Sequence, residues 1–187
     1  GLGYVAWKAY TTTKHGAKFL VGLYEAATGS LVALIEADRL GQLRTGAATG
    51  VAVRHLAAED ADRVGLFGTG TQARTQLAAV VGVRPIKQAV VYGRDEERRR
   101  AFAAGLSAEL NIEVVPAASP SEAVRDMPIV VTATTSRTPV FAGEEISPGT
   151  TVCAVGSNWL NKAEIDAATV RRAARVVCDD VAACRHE

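Results

Sequence analysis

The chain has 187 residues, of which 48% are hydrophobic and 22% charged, and its 21 Lys and Arg against 20 Asp and Glu leave a net charge of +1. This composition is typical of one globular domain with a smaller region beside it, and it excludes disordered and collagen-like chains. Without a clustered basic excess, an apolar run of roughly 20 residues or a leader pattern, we expect a cytoplasmic protein with no nucleic-acid and no membrane partner.

The first part of the chain predicts a β-hairpin followed by a helix. Extended runs over 19–24 and 31–36 are joined by a turn at Gly29, and they belong to a sheet of their own. Asp38 can cap a helix that ends near Leu56. Apolar residues fall roughly on one face of that helix, so we expect it to join the first region to the nucleotide-binding fold: Leu40, Leu43, Ala47, Val51 and Ala52.

The remainder of the chain alternates apolar strands with helices. Strands are predicted over 63–67, 89–92, 112–115, 129–132, 151–155 and 175–178. Helices are predicted over 71–81, 95–110, 119–125 and from 161 onward. Apolar strands that do not alternate with polar residues, separated by helices, predict an α/β fold: a doubly wound, Rossmann-type parallel sheet.

A glycine loop follows the first of these strands. Gly68-Thr69-Gly70-Thr71-Gln72-Ala73 is a GxGxxA sequence between a predicted strand and a predicted helix. In that context, backbone N–H groups at the helix N-terminus can hold the pyrophosphate of a dinucleotide. The alternative is a tight turn that binds nothing.

The end of the next strand bears on the choice between NAD and NADP. Arg94, with Arg98 nearby, can pair with the 2'-phosphate of NADP, whereas Asp95 can hold a ribose hydroxyl or only cap the next helix. The other interpretation of the arginines is a solvent-exposed helix face. The sequence leaves NAD and NADP open and slightly favours NADP.

Two later strands end in small residues. Thr132-Ala133-Thr134 ends one of them and Val155-Gly156 ends the next, followed by Asn158. Ligands of open α/β sheets bind at the carboxyl ends of the strands, so these residues can approach a nicotinamide ring. An ordinary turn from strand to loop is the alternative in each case.

The cysteines indicate neither a disulfide framework nor a metal site. Cys153, Cys178 and Cys184 are odd in number and form no CxxC pair, and no histidine cluster accompanies them. We therefore expect no bound metal.

With these segments in place, the chain resembles the ornithine cyclodeaminase and mu-crystallin family, which includes archaeal-type alanine dehydrogenases and ketimine reductases. The segments that carry the resemblance are Trp7-Lys8-Ala9-Tyr10, Thr28-Gly29, Arg44-Thr45-Gly46-Ala47, the glycine loop with Gln72, Thr132-Ala133-Thr134, Ala154-Val155-Gly156 and Glu164-Ile165-Asp166.

The resemblance implies two domains, a homodimer formed through the domain that does not bind the nucleotide, and a bound NAD or NADP. It also implies hydride exchange with the α-carbon of a small amino or imino acid. We expect part of the substrate and dimerisation domain over 1–58, with its connecting helix, and the dinucleotide-binding domain over 59–181. Residues 182–187 would begin a return to the first domain. The family's first segment has no counterpart here, which suggests a fragment.

Matched by motif, Lys8 corresponds to the family's active-site lysine and Arg44 to the arginine that holds the substrate carboxylate. A guanidinium grips a carboxylate with two parallel hydrogen bonds, and a desolvated lysine can exchange protons near neutral pH. From the residues alone, both would be surface side chains.

Asn158 stands where the cyclodeaminases have an aspartate that acts as acid and base. An amide cannot take up a proton, so the sequence favours a dehydrogenase or imine reductase over ornithine cyclisation. Asn158 can still orient a substrate or the nicotinamide carboxamide.

Two other functions remain as alternatives for the chain. One is a binding protein of the mu-crystallin kind without turnover. The other is a shikimate-dehydrogenase-like enzyme, which would give no reason for the Arg44 segment.

Overall fold

The chain divides into two compact units, Gly1–Arg44 and Thr45–Glu187. The structure is a computed structural model that describes residues 2–14, 16–157 and 160–184. None of the helices within those ranges combines the length and hydropathy needed to cross a bilayer.

The first unit contains an antiparallel sheet of three strands in the order β1-β2-β3: β1 Tyr4–Thr13, β2 Gly16–Glu25 and β3 Leu31–Glu36. The predicted hairpin is confirmed as β2 and β3. Sequence reasoning missed β1, whose ten residues are all exposed and show no alternation of buried and exposed positions. Its Tyr, Val, Trp and Thr residues favour a strand, a signal that was overlooked, and all ten residues pair with β2.

Helix α1 spans Asp38–Leu56, as predicted. Leu40, Leu43 and Val51 are exposed, and the buried residues are Gly46, Thr49, Gly50 and Val53. The reason is close helix packing: a Cβ on Gly46 would lie 2.6 Å from the carbonyl oxygen of Thr75. Small residues let the backbones approach, and a search for large apolar residues overlooks them.

The second unit contains a parallel sheet of five strands in the order β6-β5-β4-β7-β8. The strands are β4 Arg63–Phe67, β5 Gln88–Tyr92, β6 Glu113–Pro116, β7 Ile129–Thr132 and β8 Thr151–Ala154. Chain order runs outward from β4 to β6 on one side and from β7 to β8 on the other. The fold is thus the predicted Rossmann type, with its topological switch point between β4 and β7.

Different elements cover the two faces of this sheet. The C-terminal part of α1 joins α2 (Thr71–Val81) and α3 (Glu96–Leu110) in the larger apolar core, on the face to which Leu66 and Val131 contribute. Phe67 and Val130 belong to the core of the opposite face, which a 3₁₀ turn at Ser121–Ala123 and Phe141 complete. The predicted helix over 119–125 is only that turn.

Two predictions near the end of the chain are wrong. Residues 175–178 form no strand, and Val176 and Val177 are 69% and 61% exposed; within the described ranges the sheet ends at β8. The helix expected from residue 161 is α4 Ala167–Arg172, because Asp166 rather than an earlier residue caps it, through the N–H of Thr169. A further short helix, α5, spans Val181–Cys184.

The side chain of Arg84 caps the C-terminal end of α1 within the second unit. Its guanidinium donates hydrogen bonds at 2.8–2.9 Å to carbonyl oxygens at that end: those of Val53, Arg54, Ala57 and Ala58. The last carbonyls of a helix have no partner within the helix, so this side chain satisfies them.

Candidate functional site

The glycine loop leaves β4 at the switch point of the sheet, and its backbone allows no side chain at the first glycine. Gly68 has a φ of 117°, and its N–H donates to the carbonyl of Tyr92 at 2.9 Å. A Cβ on Gly68 would overlap the carbonyl oxygen of Ala133, which follows β7. Thr69 in turn contacts Gly93 after β5. The loop is therefore clamped between the ends of the two neighbouring strands.

Gly70 leaves the N-terminus of α2 open. It occupies the cap position with an extended backbone (φ −96°, ψ −178°), makes no side-chain cap and precedes a first turn without acidic residues. A Cβ on Gly70 would meet no atom within 4 Å. The first N–H groups of a helix lack intrahelical partners and carry partial positive charge, so this end of α2 suits a phosphate.

Gln72 adds an unsatisfied polar atom in the same turn. Its Oε1 is buried and has no hydrogen-bond partner among the described residues. Gln76, one turn further along α2, is completely buried with both amide atoms likewise unpaired in the described chain. Buried polar groups are normally satisfied, so these unpaired amide atoms are exceptions within α2. The open helix end and the free space at Gly70 are what fit the phosphates of a dinucleotide.

At the end of β5, some polar side chains are hydrogen-bonded within the protein and others are exposed to solvent. Asp95 caps α3 by accepting from the N–H of Arg98 at 2.9 Å, and Arg94 is exposed. Arg99, which sequence reasoning missed, is 8% exposed; its Nη1 donates to the carbonyl of Gly93 at 2.5 Å, and its guanidinium lies 5.5 Å from the centre of the Tyr92 ring. Its position one turn into α3 gave no signal.

The ends of β7 and β8 meet at a buried carboxylate that sequence reasoning recorded only as part of a family motif. Glu164 is 2% exposed. It accepts hydrogen bonds from Thr132, Thr134 and Gly156, all of which the sequence placed near the nicotinamide. A Cβ on Gly156 would lie 2.6 Å from the N of Thr134, so the two strand ends are in contact. Ala133 and Val155 lie in the same two segments.

The proposed substrate residues lie in the first unit. Lys8 is exposed on β1 opposite Val21, with its Nζ 5.6 Å from the centre of the Phe19 ring. Arg44 is exposed on α1. Asn158 lies outside the described residues, two positions after Gly156.

The second unit thus has the strand order, the switch point and the glycine loop of a Rossmann-type α/β fold. A family model described as "Ornithine cyclodeaminase/mu-crystallin family" matches residues 8–187. The chain belongs to that family.

Among curated relatives, the chain is 36% identical over 168 residues to a Delta(1)-pyrroline-2-carboxylate reductase of Bacillus cereus, covering 90% of this chain and 51% of the relative. It is 32% identical to an alanine dehydrogenase of Archaeoglobus fulgidus over 172 residues, which is 89% of this chain and 51% of the relative. The chain therefore spans about half the length of the curated relatives it matches.

Two solved structures of proteins with related names are also similar to this chain. The Thermococcus litoralis Delta(1)-pyrroline-2-carboxylate reductase in complex with NADH and L-proline is similar with a TM-score of 0.82 and 36% identity, over 89% of this chain and 54% of that one. An archaeal alanine dehydrogenase dimer with bound NAD gives a TM-score of 0.91 at 30% identity, over 99% of this chain and 59% of that one.

Proposed function

We propose that the protein is an NAD(P)-dependent oxidoreductase that exchanges a hydride with the α-carbon of a small amino or imino acid. The observation that carries the proposal is the open, uncapped N-terminus of α2 behind the clamped loop at Gly68. The names of the relatives, reductases of cyclic imino acids and dehydrogenases of alanine, support the same reaction class.

The nicotinamide cofactor, when bound, supplies the hydride or accepts it. The chain's own residues bind and orient it. The loop and the first turn of α2 would hold the phosphates: Gly68, Thr69, Gly70, Thr71 and Gln72. The two strand ends would flank the nicotinamide: Thr132, Ala133, Thr134, Val155 and Gly156.

A modest preference for NADP over NAD is part of this proposal. Arg94 is exposed at the end of β5 and pairs with no acidic side chain in the described structure, whereas the carboxylate of Asp95 is used as a helix cap. A guanidinium can neutralise the 2'-phosphate, and each tenfold of preference corresponds to about 1.4 kcal/mol. Arg94→Ala should weaken NADPH and spare NADH in binding titrations, while Arg100→Ala, whose guanidinium pairs with Glu96, changes neither. Equal effects on both cofactors would contradict the assignment.

Lys8 and Arg44 are the proposed substrate residues. Arg44→Ala should raise the KM for the substrate and leave dinucleotide affinity nearly unchanged, because only the carboxylate grip is lost. Lys8→Met should instead lower kcat by about 10² to 10⁴, the usual contribution of a general acid or base. Steady-state kinetics with a parallel NADH titration separates the two roles. Loss of NADH affinity in both variants would contradict them.

Asn158 distinguishes reduction from cyclodeamination. Because an amide cannot exchange a proton, proline formation with ammonia release from ornithine should be undetectable. The test is incubation with ornithine and NAD, with proline measured by mass spectrometry. Measurable proline would refute this part of the proposal.

The alternative is a nucleotide-binding protein without turnover. A panel of small amino acids and cyclic imines, with both cofactors and the absorbance of the reduced nicotinamide as readout, decides between them. Turnover of any member supports the enzyme. NADH binding without turnover across the panel would favour the binding protein.

A homodimer formed through the first unit completes the proposal. The faces of its sheet expose large apolar side chains, among them Tyr4, Val5, Tyr10, Leu31 and Leu34. Exposed apolar surface of this extent is typical of an interface, and a solved relative is described as a dimer. Light scattering should give twice the chain mass, and Val5→Lys should shift the equilibrium toward the monomer.

A further inference from the structure

Glu164 is a buried carboxylate in the segment between β8 and α4, and each of its oxygens accepts two hydrogen bonds. Oε1 accepts from the backbone N and the Oγ1 of Thr134, both at 2.6 Å. Oε2 accepts from Thr132 Oγ1 at 2.8 Å and from the backbone N of Gly156 at 2.5 Å. Thr134 follows β7 and Gly156 follows β8, so one side chain joins the carboxyl ends of two adjacent strands.

The pattern of donors excludes an amide at this position. Each oxygen of Glu164 receives a backbone N–H, one from Thr134 and one from Gly156, and a backbone N–H cannot turn round to accept. A glutamine would place its NH₂ group against one of these two donors in either orientation of the amide. Hydroxyl groups can rotate to accommodate an amide, but these two backbone donors cannot.

No Lys or Arg of the described chain lies within ion-pair distance of Glu164, so its polar partners there are the four hydrogen-bond donors. Burying a charge is costly, and apolar side chains of similar volume usually stabilise a fold as well or better. Stability alone is thus a weak reason for this arrangement. The position of Glu164 points to a role in ligand binding instead. It lies at the carboxyl ends of the strands beside the switch point, where ligands of open α/β sheets bind.

We propose that Glu164 is a positioning residue for the nicotinamide half of the dinucleotide. It holds the segments at Thr134 and Gly156 together, and with them the surface on which the ring would lie. The glycine loop, which would hold the phosphates, makes no hydrogen bond to this carboxylate in the described structure. This inference rests on the proposed function, since it presupposes a dinucleotide at this edge.

The test compares two ligands that differ only in the nicotinamide ring: NADH and ADP-ribose. Calorimetric titration of the 187-residue chain and its Glu164→Gln variant gives both affinities. Leaving one buried donor unsatisfied should lower the NADH affinity about tenfold or more, whereas the affinity for ADP-ribose should change by less than about twofold. A purely structural role would move both affinities together or neither.

The matched control is Glu145→Gln. Glu145 is also a partly buried carboxylate of the second unit, accepting from Ser121 Oγ at 2.6 Å and Arg125 Nη2 at 2.9 Å. These partners precede β7, so they lie at the amino ends of the strands. This variant should leave both affinities unchanged even if it lowers stability.

Thr132→Val covers the case in which Glu164→Gln does not fold. The side chain of Thr132 is completely buried, so it cannot contact a ligand directly; its hydroxyl donates to Glu164, and valine has the same shape. The variant should weaken NADH about threefold or more by loss of one hydrogen bond and spare ADP-ribose. Equal changes for the two ligands, or none, overturn the proposal. If the unmodified chain binds neither ligand, the proposed function fails, and this inference fails with it.

Discussion

Replacing Gly70 by aspartate should separate dinucleotide binding from folding. The backbone at Gly70 is extended, a conformation open to every residue, and a Cβ there meets no atom within 4 Å. Aspartate is also among the best helix caps, because its carboxylate accepts from the N–H groups of the first turn. The free energy of unfolding should therefore stay constant or rise by a few tenths of a kcal/mol.

Binding should change in the opposite direction. A carboxylate at Gly70 would occupy the N–H groups that a pyrophosphate needs, and hydrogen bonds to a charged group contribute about 1.5–3 kcal/mol. Two like charges about 5 Å apart repel by about 1–3 kcal/mol between the dielectric of water and that near a protein surface. The two contributions together give about 2.5–6 kcal/mol, which corresponds to a loss of about 60-fold or more in affinity.

Titration with NADH and urea unfolding measure the two effects. Gly70→Ala, which adds a methyl group without charge, should lose less affinity. Gly68→Ala should differ from both, because it should also lower the free energy of unfolding. Gly68 has a φ of 117°, and an added Cβ would overlap the carbonyl oxygen of Ala133. An aspartate variant that is folded and binds NADH with unchanged affinity would refute the placement of the phosphates on α2.

Three further outcomes are expected. Arg84→Ala should lower the free energy of unfolding by about 2 kcal/mol, since charged hydrogen bonds to the end of α1 are lost; a loss below about 0.5 kcal/mol in urea would contradict that role. Hydrogen bonds from the backbone N–H of Gly143 and from Thr169 hold the pKa of Asp166 below its usual value. Because this pKa is lower in the folded than in the unfolded protein, ionised Asp166 stabilises the fold above the unfolded pKa of about 4. That contribution is lost as the pH falls through the folded pKa. Asp166→Asn should therefore make the free energy of unfolding depend less on pH in the acid range. Burial raises the pKa of Cys153 to about 11, so iodoacetamide at pH 8 should alkylate the exposed Cys178 first, as peptide mapping would show; equal rates would contradict burial.

The sequence by itself determined the parts of the fold that depend on local order. Local sequence and neighbouring residues favour the same conformation in several places. They are the apolar runs of β4, β5 and β7, the glycines of the loop and the Asp95 cap. For that reason the strand-turn-helix at Gly68 could be predicted, and with it the fold class and the family.

Tertiary structure decided what depends on distant partners. α1 buries glycines because α2 approaches them, and all ten residues of β1 pair with β2. The apolar run over 175–178 has the composition of a strand but no neighbouring strand among the described residues.

Glu164 shows the same dependence at the candidate site. In the sequence it is an acidic residue in the first turn of a predicted helix, where solvent exposure is the usual outcome. It is buried only because four hydrogen-bond donors from three residues, at positions 132, 134 and 156, converge where two parallel strands end side by side. Those donors are up to 32 residues away from it along the chain, and the sheet alone brings them together.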